Sequence, residues 1–148
     1  GLELIDQTRF LNQLLVRKGT LARREPIAKE WEDIWFGFRM AKEIGALDIG
    51  QTVVVKDRTI LAVEAIEGTD EAIRRGCRLG HERAIVVKVS RPGQDFRLDV
   101  PTVGAMTLQV MREGKAAALA LEAEKTLVVD LKEVVKLADE ASIAIVAI

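Results

Sequence analysis

One cysteine, one histidine, no tyrosine and three prolines in 148 residues are the scarcities that narrow this sequence first. Cys77 has no partner for an internal disulfide, and one thiol with one imidazole, His81, cannot build a Cys/His zinc centre. A metal, if bound, must be held by carboxylates. A surplus of one charge is lacking as well, since 22 Lys and Arg face 23 Asp and Glu for a net charge of -1. No basic field draws the chain onto nucleic acid, and no basic stripe with interleaved aromatics is present, so a nucleic-acid partner is not expected. Any phosphate site must be local. No apolar run approaches the roughly 18 to 20 residues that span a bilayer, and the first residues carry no signal-peptide pattern. A cytoplasmic location is the default expectation.

What is present is 49% hydrophobic and 30% charged residues, the composition of one soluble domain with a substantial core. LIDQTRFLNQLLVRKG places Leu4, Phe10, Leu11, Leu14 and Leu15 at helical spacing and closes at Gly19, which predicts an amphipathic helix. The segment from Thr20 to Pro26 reads as a connecting loop. KEWEDIWFGFRMAKEIG carries Trp31, Ile34, Trp35, Phe38 and Ile44 in a helical stripe closed by Gly45. TVVVKDRTILAVEA then reads as a hairpin turning at Lys56, Asp57 and Arg58, and a helix begins near Thr69 or Asp70 and ends at Gly80.

RAIVVKVS is a continuous apolar run, predicting a buried strand. A helix follows over Gly104 to Gly114, and residues 116–123 are either a strand or a small-residue core segment. TLVVD predicts a short strand, LKEVVKLADEA a helix and SIAIVAI a terminal strand. The expected fold is α/β, a single domain whose mixed β-sheet is flanked by helices and preceded by helical segments. Residues 1–25 are expected to form an amino-terminal helix and linker, and residues 26–148 the α/β domain proper.

Two acidic segments stand out. If QDFRLDVP is extended, Asp95, Arg97 and Asp99 share one face, two carboxylates flanking a guanidinium just beyond a buried strand. Such a group can hold one divalent cation while the arginine contacts phosphate oxygens; an exposed strand face with a surface ion pair is the plainer alternative. In VEAIEGTD, Glu64, Glu67 and Asp70 approach a helix start across Gly68 and Thr69, which suits an anion at the helix terminus or simply a capped helix. Lys88, inside IVVKVS, either reaches solvent at a sheet edge or is a buried cation aimed at an anion. His81 reads as a surface turn residue and Cys77 as a small core residue. The stripe of Trp31 and Trp35 is core, or a contact with a further domain or an acyl chain.

The strings ALDIGQTVVV, LAVEAIEGTD, VKVSRPGQDFRLDVPTVG and the segment through EAEKTLVVD, in that order, resemble the carboxyl-terminal domain of the LpxI-type UDP-2,3-diacylglucosamine pyrophosphatases. The resemblance implies magnesium-dependent hydrolysis of a lipid-linked UDP-sugar to UMP and 2,3-diacylglucosamine 1-phosphate (lipid X) in lipid A synthesis of Gram-negative bacteria, with water attacking the α-phosphorus. It implies roles for Glu67, Gly68, Thr69, Asp70, Gln94, Asp95, Arg97 and Asp99. The combined assignment takes Asp95, Asp99 and Asp70 as catalytic, and Gly68, Thr69, Lys88, Gln94 and Arg97 as substrate-binding. Asp95, Asp99 and Glu67 are the metal ligands, for magnesium or manganese. The family's amino-terminal domain is missing from this chain and is its expected partner, together with a peripheral contact on the inner membrane and pairing into a homodimer. The alternative is a non-catalytic module that binds a sugar nucleotide or another anion and mediates dimerisation.

Overall fold

A computed structural model describes residues 14–96 and 99–148. Along them run β1 (Gly19–Thr20), α1 (Ala28–Ala46), β2 (Thr52–Lys56), β3 (Thr59–Val63), α2 (Thr69–Gly80), β4 (Ile85–Lys88), β5 (Thr102–Val103), α3 (Ala105–Glu113), β6 (Ala118–Leu121), β7 (Leu127–Val128), α4 (Leu131–Glu140) and β8 (Ala144–Ala147). Six strands form one sheet in the order β1-β8-β6-β4-β2-β3, and β5 pairs with β7 in a small second sheet. β4, β6 and β8 run parallel, whereas β2 is antiparallel to both β3 and β4. The expected mixed α/β sheet is therefore present, and β3, β4, β6 and β8 all end at the same edge.

Strand alternation divides the core into two layers. Val53, Val55, Ile85, Val87, Ala118 and Ala120 face α1 through Ile34 and Ala41. Val54, Val86, Leu119, Leu121 and Ile145 face the other helices through Ile73, Leu108, Met111 and Val134. Within residues 116–123 the stretch Ala118–Leu121 is a strand: Ala118 and Ala120 sit under α1, and Leu119 and Leu121 fill the opposite layer. Close approach is required on both sides, because a Cβ on Gly37 would lie 2.7 Å from Val87 Cγ2 and one on Gly76 would lie 2.5 Å from Val54 Cβ.

The β2–β3 hairpin turns at Asp57 and Arg58 with φ of 50° and 54°, the left-handed pair that matches the twist of a two-residue hairpin. Neither residue is glycine. The strain is offset by buried Asp33 of α1, whose carboxylate accepts from the Asp57 and Arg58 N–H groups at 3.0 and 2.6 Å.

Part of the amino-terminal helix predicted up to Gly19 lies outside the described residues, and its described end is not helical. Leu15 bridges Leu127, and Gly19–Thr20 pairs with β8. Backbone bonds from Val16 N–H to the Thr126 carbonyl and from Leu21 N–H to the Ile145 carbonyl, 3.0 and 2.8 Å, hold this stretch against the sheet. Tertiary pairing here overrides a helical pattern. Among the described residues no helix is long and apolar enough to cross a membrane.

Candidate functional site

The site lies at the carboxyl ends of β3, β4 and β6, where open α/β sheets commonly receive ligands. Lys88 is the last residue of β4. It is central, between β2 and β6, and only 4% exposed, so the sheet-edge reading of this lysine does not hold. Alternation puts its side chain with Val86 on the α2 face, and its Nζ donates to Thr69 Oγ1 at 2.7 Å. Thr69 Oγ1 in turn donates to Glu64 Oε1, also at 2.7 Å.

Burial pushes the Lys88 ammonium below its ordinary range, while the charges of Glu64, Asp70 and Asp99 oppose that push. These acids come from the end of β3, the first turn of α2 and the loop after β4. A lysine is tolerated at this depth because three carboxylates compensate it. Glu64 Oε2 is buried and has no hydrogen-bond partner among the described residues.

α2 starts at Gly68, whose φ of 85° favours glycine and which leaves the helix start without a side-chain cap. No atom lies within 4 Å of where a Gly68 Cβ would project. α3 likewise starts uncapped at Gly104. Asp70 joins the two starts by accepting from Thr107 Oγ1 at 3.2 Å. Both helices thus direct their amino-terminal N–H groups, the positive end of the helix dipole, toward the same region.

The loop after β4 is tied by its own polar groups. Arg91 N–H donates to Gln94 Oε1 at 2.9 Å, Gln94 N–H returns to the Arg91 carbonyl at 3.1 Å, and Gln94 Nε2 donates to Asp99 Oδ2 at 2.9 Å. The Arg91 guanidinium pairs with Asp48 and with Asp99. Asp99 N–H also donates to the Asp95 carbonyl at 3.1 Å, so this stretch folds back on itself. A 3.1 Å bond between its two described ends is incompatible with the extended run expected from Asp95 to Asp99. Arg97 lies outside the described residues.

Gly68, Thr69, Asp70, Lys88, Gln94 and Asp99 are therefore gathered at one edge, and Asp95 sits at the base of the same turn. Glu67 is engaged elsewhere: its carboxylate accepts from Arg75 Nη2 at 2.5 Å and from the Ala65 N–H at 3.2 Å. Among the described residues no group of three or more His, Cys, Asp or Glu side chains is disposed to hold a metal ion. The donors nearest Lys88 are all oxygens, the chemistry a hard cation requires, and magnesium commonly takes one or two carboxylates with water and substrate oxygens completing its shell. Asp99 is exposed, and its carboxylate is shared with Arg91 and Gln94.

Several contributors carry no motif. Arg91 follows the strand, Thr107 lies in the first turn of α3, and Glu122 with Lys42 secures Ser90 directly behind the loop. A charged residue ending the run ALALE was the one sequence signal for Glu122. His81 is an exposed turn residue with φ of 63°, and Cys77 is buried, as expected.

A family model described as the LpxI C-terminal domain matches residues 17–146. A UDP-2,3-diacylglucosamine pyrophosphatase LpxI from Caulobacter vibrioides is 31% identical over 156 aligned residues, covering 100% of this chain and 56% of that protein. The chain thus spans little more than half the length of that relative.

Proposed function

The chain belongs to the LpxI C-terminal domain family, and on that premise we propose that it is the carboxyl-terminal half of an enzyme that hydrolyses UDP-2,3-diacylglucosamine. The products are UMP and 2,3-diacylglucosamine 1-phosphate, formed by attack of water on the α-phosphorus. The observation that carries this reading is the convergence of Lys88, Thr69, Asp70 and Asp99 from three separate segments at one sheet edge.

In this reading the pyrophosphate lies across the starts of α2 and α3, where unpaired N–H groups and Lys88 receive its oxygens. These groups are fixed before substrate arrives, so they stabilise charge that builds on the phosphoryl oxygens without reorganising. Thr69 holds Lys88 in place and is itself held by Glu64. Asp95 orients the attacking water and takes its proton, Asp99 and Asp95 are the residues to hold magnesium, and Arg97 and Gln94 complete the substrate contacts. Magnesium, when bound, lowers the barrier by neutralising phosphoryl charge. Glu67, engaged by Arg75, is a supporting rather than a principal ligand.

The acyl chains need an apolar neighbour. Leu47, Ile49, Ile66 and Met106 are exposed in the loops and helix turn around this edge, with Ile66 wholly so. They offer a surface to the lipid part of the substrate and to the inner membrane on its cytoplasmic side. The missing amino-terminal half supplies the opposite wall of the cleft.

A second reading rests on Lys88 and the two uncapped helix starts, which serve equally in a module that binds the nucleotide without chemistry. The two readings part on one experiment. With the full-length protein and magnesium, UMP is released, a chelator stops the release, and Asp95→Ala abolishes it while the far-ultraviolet circular dichroism is unchanged. Near-normal turnover in Asp95→Ala removes Asp95 from the mechanism, and binding without turnover in the unmodified protein favours the module.

A further inference from the structure

Behind the loop that carries Asp95 and Asp99 lies an ion cluster centred on buried Glu122, whose backbone N–H also donates to the Lys88 carbonyl at 3.1 Å. Glu122, the first residue after β6 and 7% exposed, accepts from Lys42 Nζ of α1 at 3.0 Å and from Lys125 Nζ at 3.0 Å. The same carboxylate accepts from the Ser90 N–H at 2.8 Å and the Ser90 Oγ at 3.0 Å. Lys42 Nζ completes the grip by donating to the Ser90 carbonyl at 2.8 Å. All three polar groups of Ser90 are thereby held by one acid–base pair. Ser90 is the root of the loop: the next residue, Arg91, binds Asp99, and both Arg91 and Gln94 position that carboxylate.

We propose that Glu122, with Lys42, is a positioning residue for the phosphoryl-transfer loop, fixing where Asp95 and Asp99 stand relative to Lys88. This rests on the reading of the edge as a pyrophosphatase site. Two features favour a positioning role over plain stability. A fixed negative charge buried beside Ser90 is more than an amide N–H requires, since any carbonyl would satisfy it. The clamp also acts on one residue at the boundary between rigid strand and catalytic turn, where a small displacement is carried to the acids. Displacements on the order of 1 Å at reacting groups cost about a hundredfold in rate.

The test compares Glu122→Gln and Glu122→Ala with a control, Glu30→Gln, in the full-length protein. Glu30 is also a buried acid gripping two arginines, Arg24 and Arg83, but at the opposite end of the sheet. The expected result is a fall in kcat of at least roughly tenfold for Glu122→Gln and more for Glu122→Ala. KM for the lipid substrate should stay within about threefold, because the helix starts and Lys88 are untouched. The magnesium concentration for half-maximal rate should rise. Glu30→Gln should lose thermal stability yet keep kcat. Amide hydrogen exchange of residues 90–96, read without any turnover, should speed up in both Glu122 variants and not in Glu30→Gln.

Unchanged exchange in the loop overturns the clamp whatever the activity. Faster exchange with wild-type kcat overturns the positioning role while leaving the anchor. Faster exchange in variants of a protein that releases no UMP overturns the pyrophosphatase reading, and with it the claim that the clamp serves phosphoryl transfer.

Discussion

Lys88 Nζ donates to Thr69 Oγ1 at 2.7 Å, joining the last residue of a central strand to the first turn of the helix that the EGTD segment opens. Two segments 19 residues apart thereby become one site. Glu64, Asp70 and Asp99 face the same ammonium, and the proposed phosphate contact of Lys88 gives the first prediction.

Lys88→Met keeps the length of the side chain and removes its charge. The expected loss in kcat/KM is about 100-fold to 1,000-fold, the scale of one preorganised electrostatic contact. Thermal stability should fall as well, because Glu64, Asp70 and Asp99 lose the cation that compensates them, so kinetics are read at a temperature where circular dichroism shows the variant folded. A variant with wild-type kinetics would remove Lys88 from the phosphate site.

The Glu122 cluster predicts a pH dependence of stability. Burial pulls the Glu122 carboxyl upward, but donation from Lys42, Lys125 and the Ser90 N–H outweighs it and leaves the group below the ordinary value of 4.5. A carboxyl depressed in the folded state contributes stability that is fully present above its unfolded value and lost as pH falls through its folded value. Urea unfolding at pH 7 should therefore find Glu122→Gln less stable by about 1–3 kcal/mol. The gap should narrow as pH falls below the ordinary value of 4.5, and a gap constant with pH would contradict the ion cluster.

Burial pushes the Cys77 thiol up to about 11. At pH 8 a colorimetric disulfide reagent should leave the native protein unlabelled and modify one thiol after unfolding. Rapid labelling of the native state would mean that the α2–α3 contact opens.

Gly76→Ala should destabilise by about 1–3 kcal/mol through overpacking against Val54, lowering the thermal midpoint by several degrees. Thermal circular dichroism measures it directly, and an unshifted midpoint would show that α2 can move off the sheet.

The apolar runs VVV, IVVK and AIVA made most of the sheet legible, whereas ALAL left strand and small-residue core segment open, and the helices were marked by Gly45, Gly80 and Gly114. The helical pattern at the amino terminus misled at Leu15 to Gly19, because nothing in those residues announces pairing with β8 and Leu127. In the site, Gly68, Thr69 and Asp70 could be read from their helix start, yet the pairing of Lys88 with Thr69 depends on strand order. The acids of the Arg91 to Pro101 stretch were visible, but their turn was not, since Gln94 ties it by bonding to both Arg91 and Asp99. Glu122 and Lys42 were invisible for a related reason: they lie 80 residues apart and meet only across the α1–sheet interface.

The most direct test of the account is hydrolysis of UDP-2,3-diacylglucosamine by the full-length protein in oxygen-18 water, read by phosphorus-31 magnetic resonance. Magnesium-dependent products are expected with the label on the phosphate of UMP and none on 2,3-diacylglucosamine 1-phosphate. Label on the lipid phosphate, or no turnover with magnesium present, would contradict it.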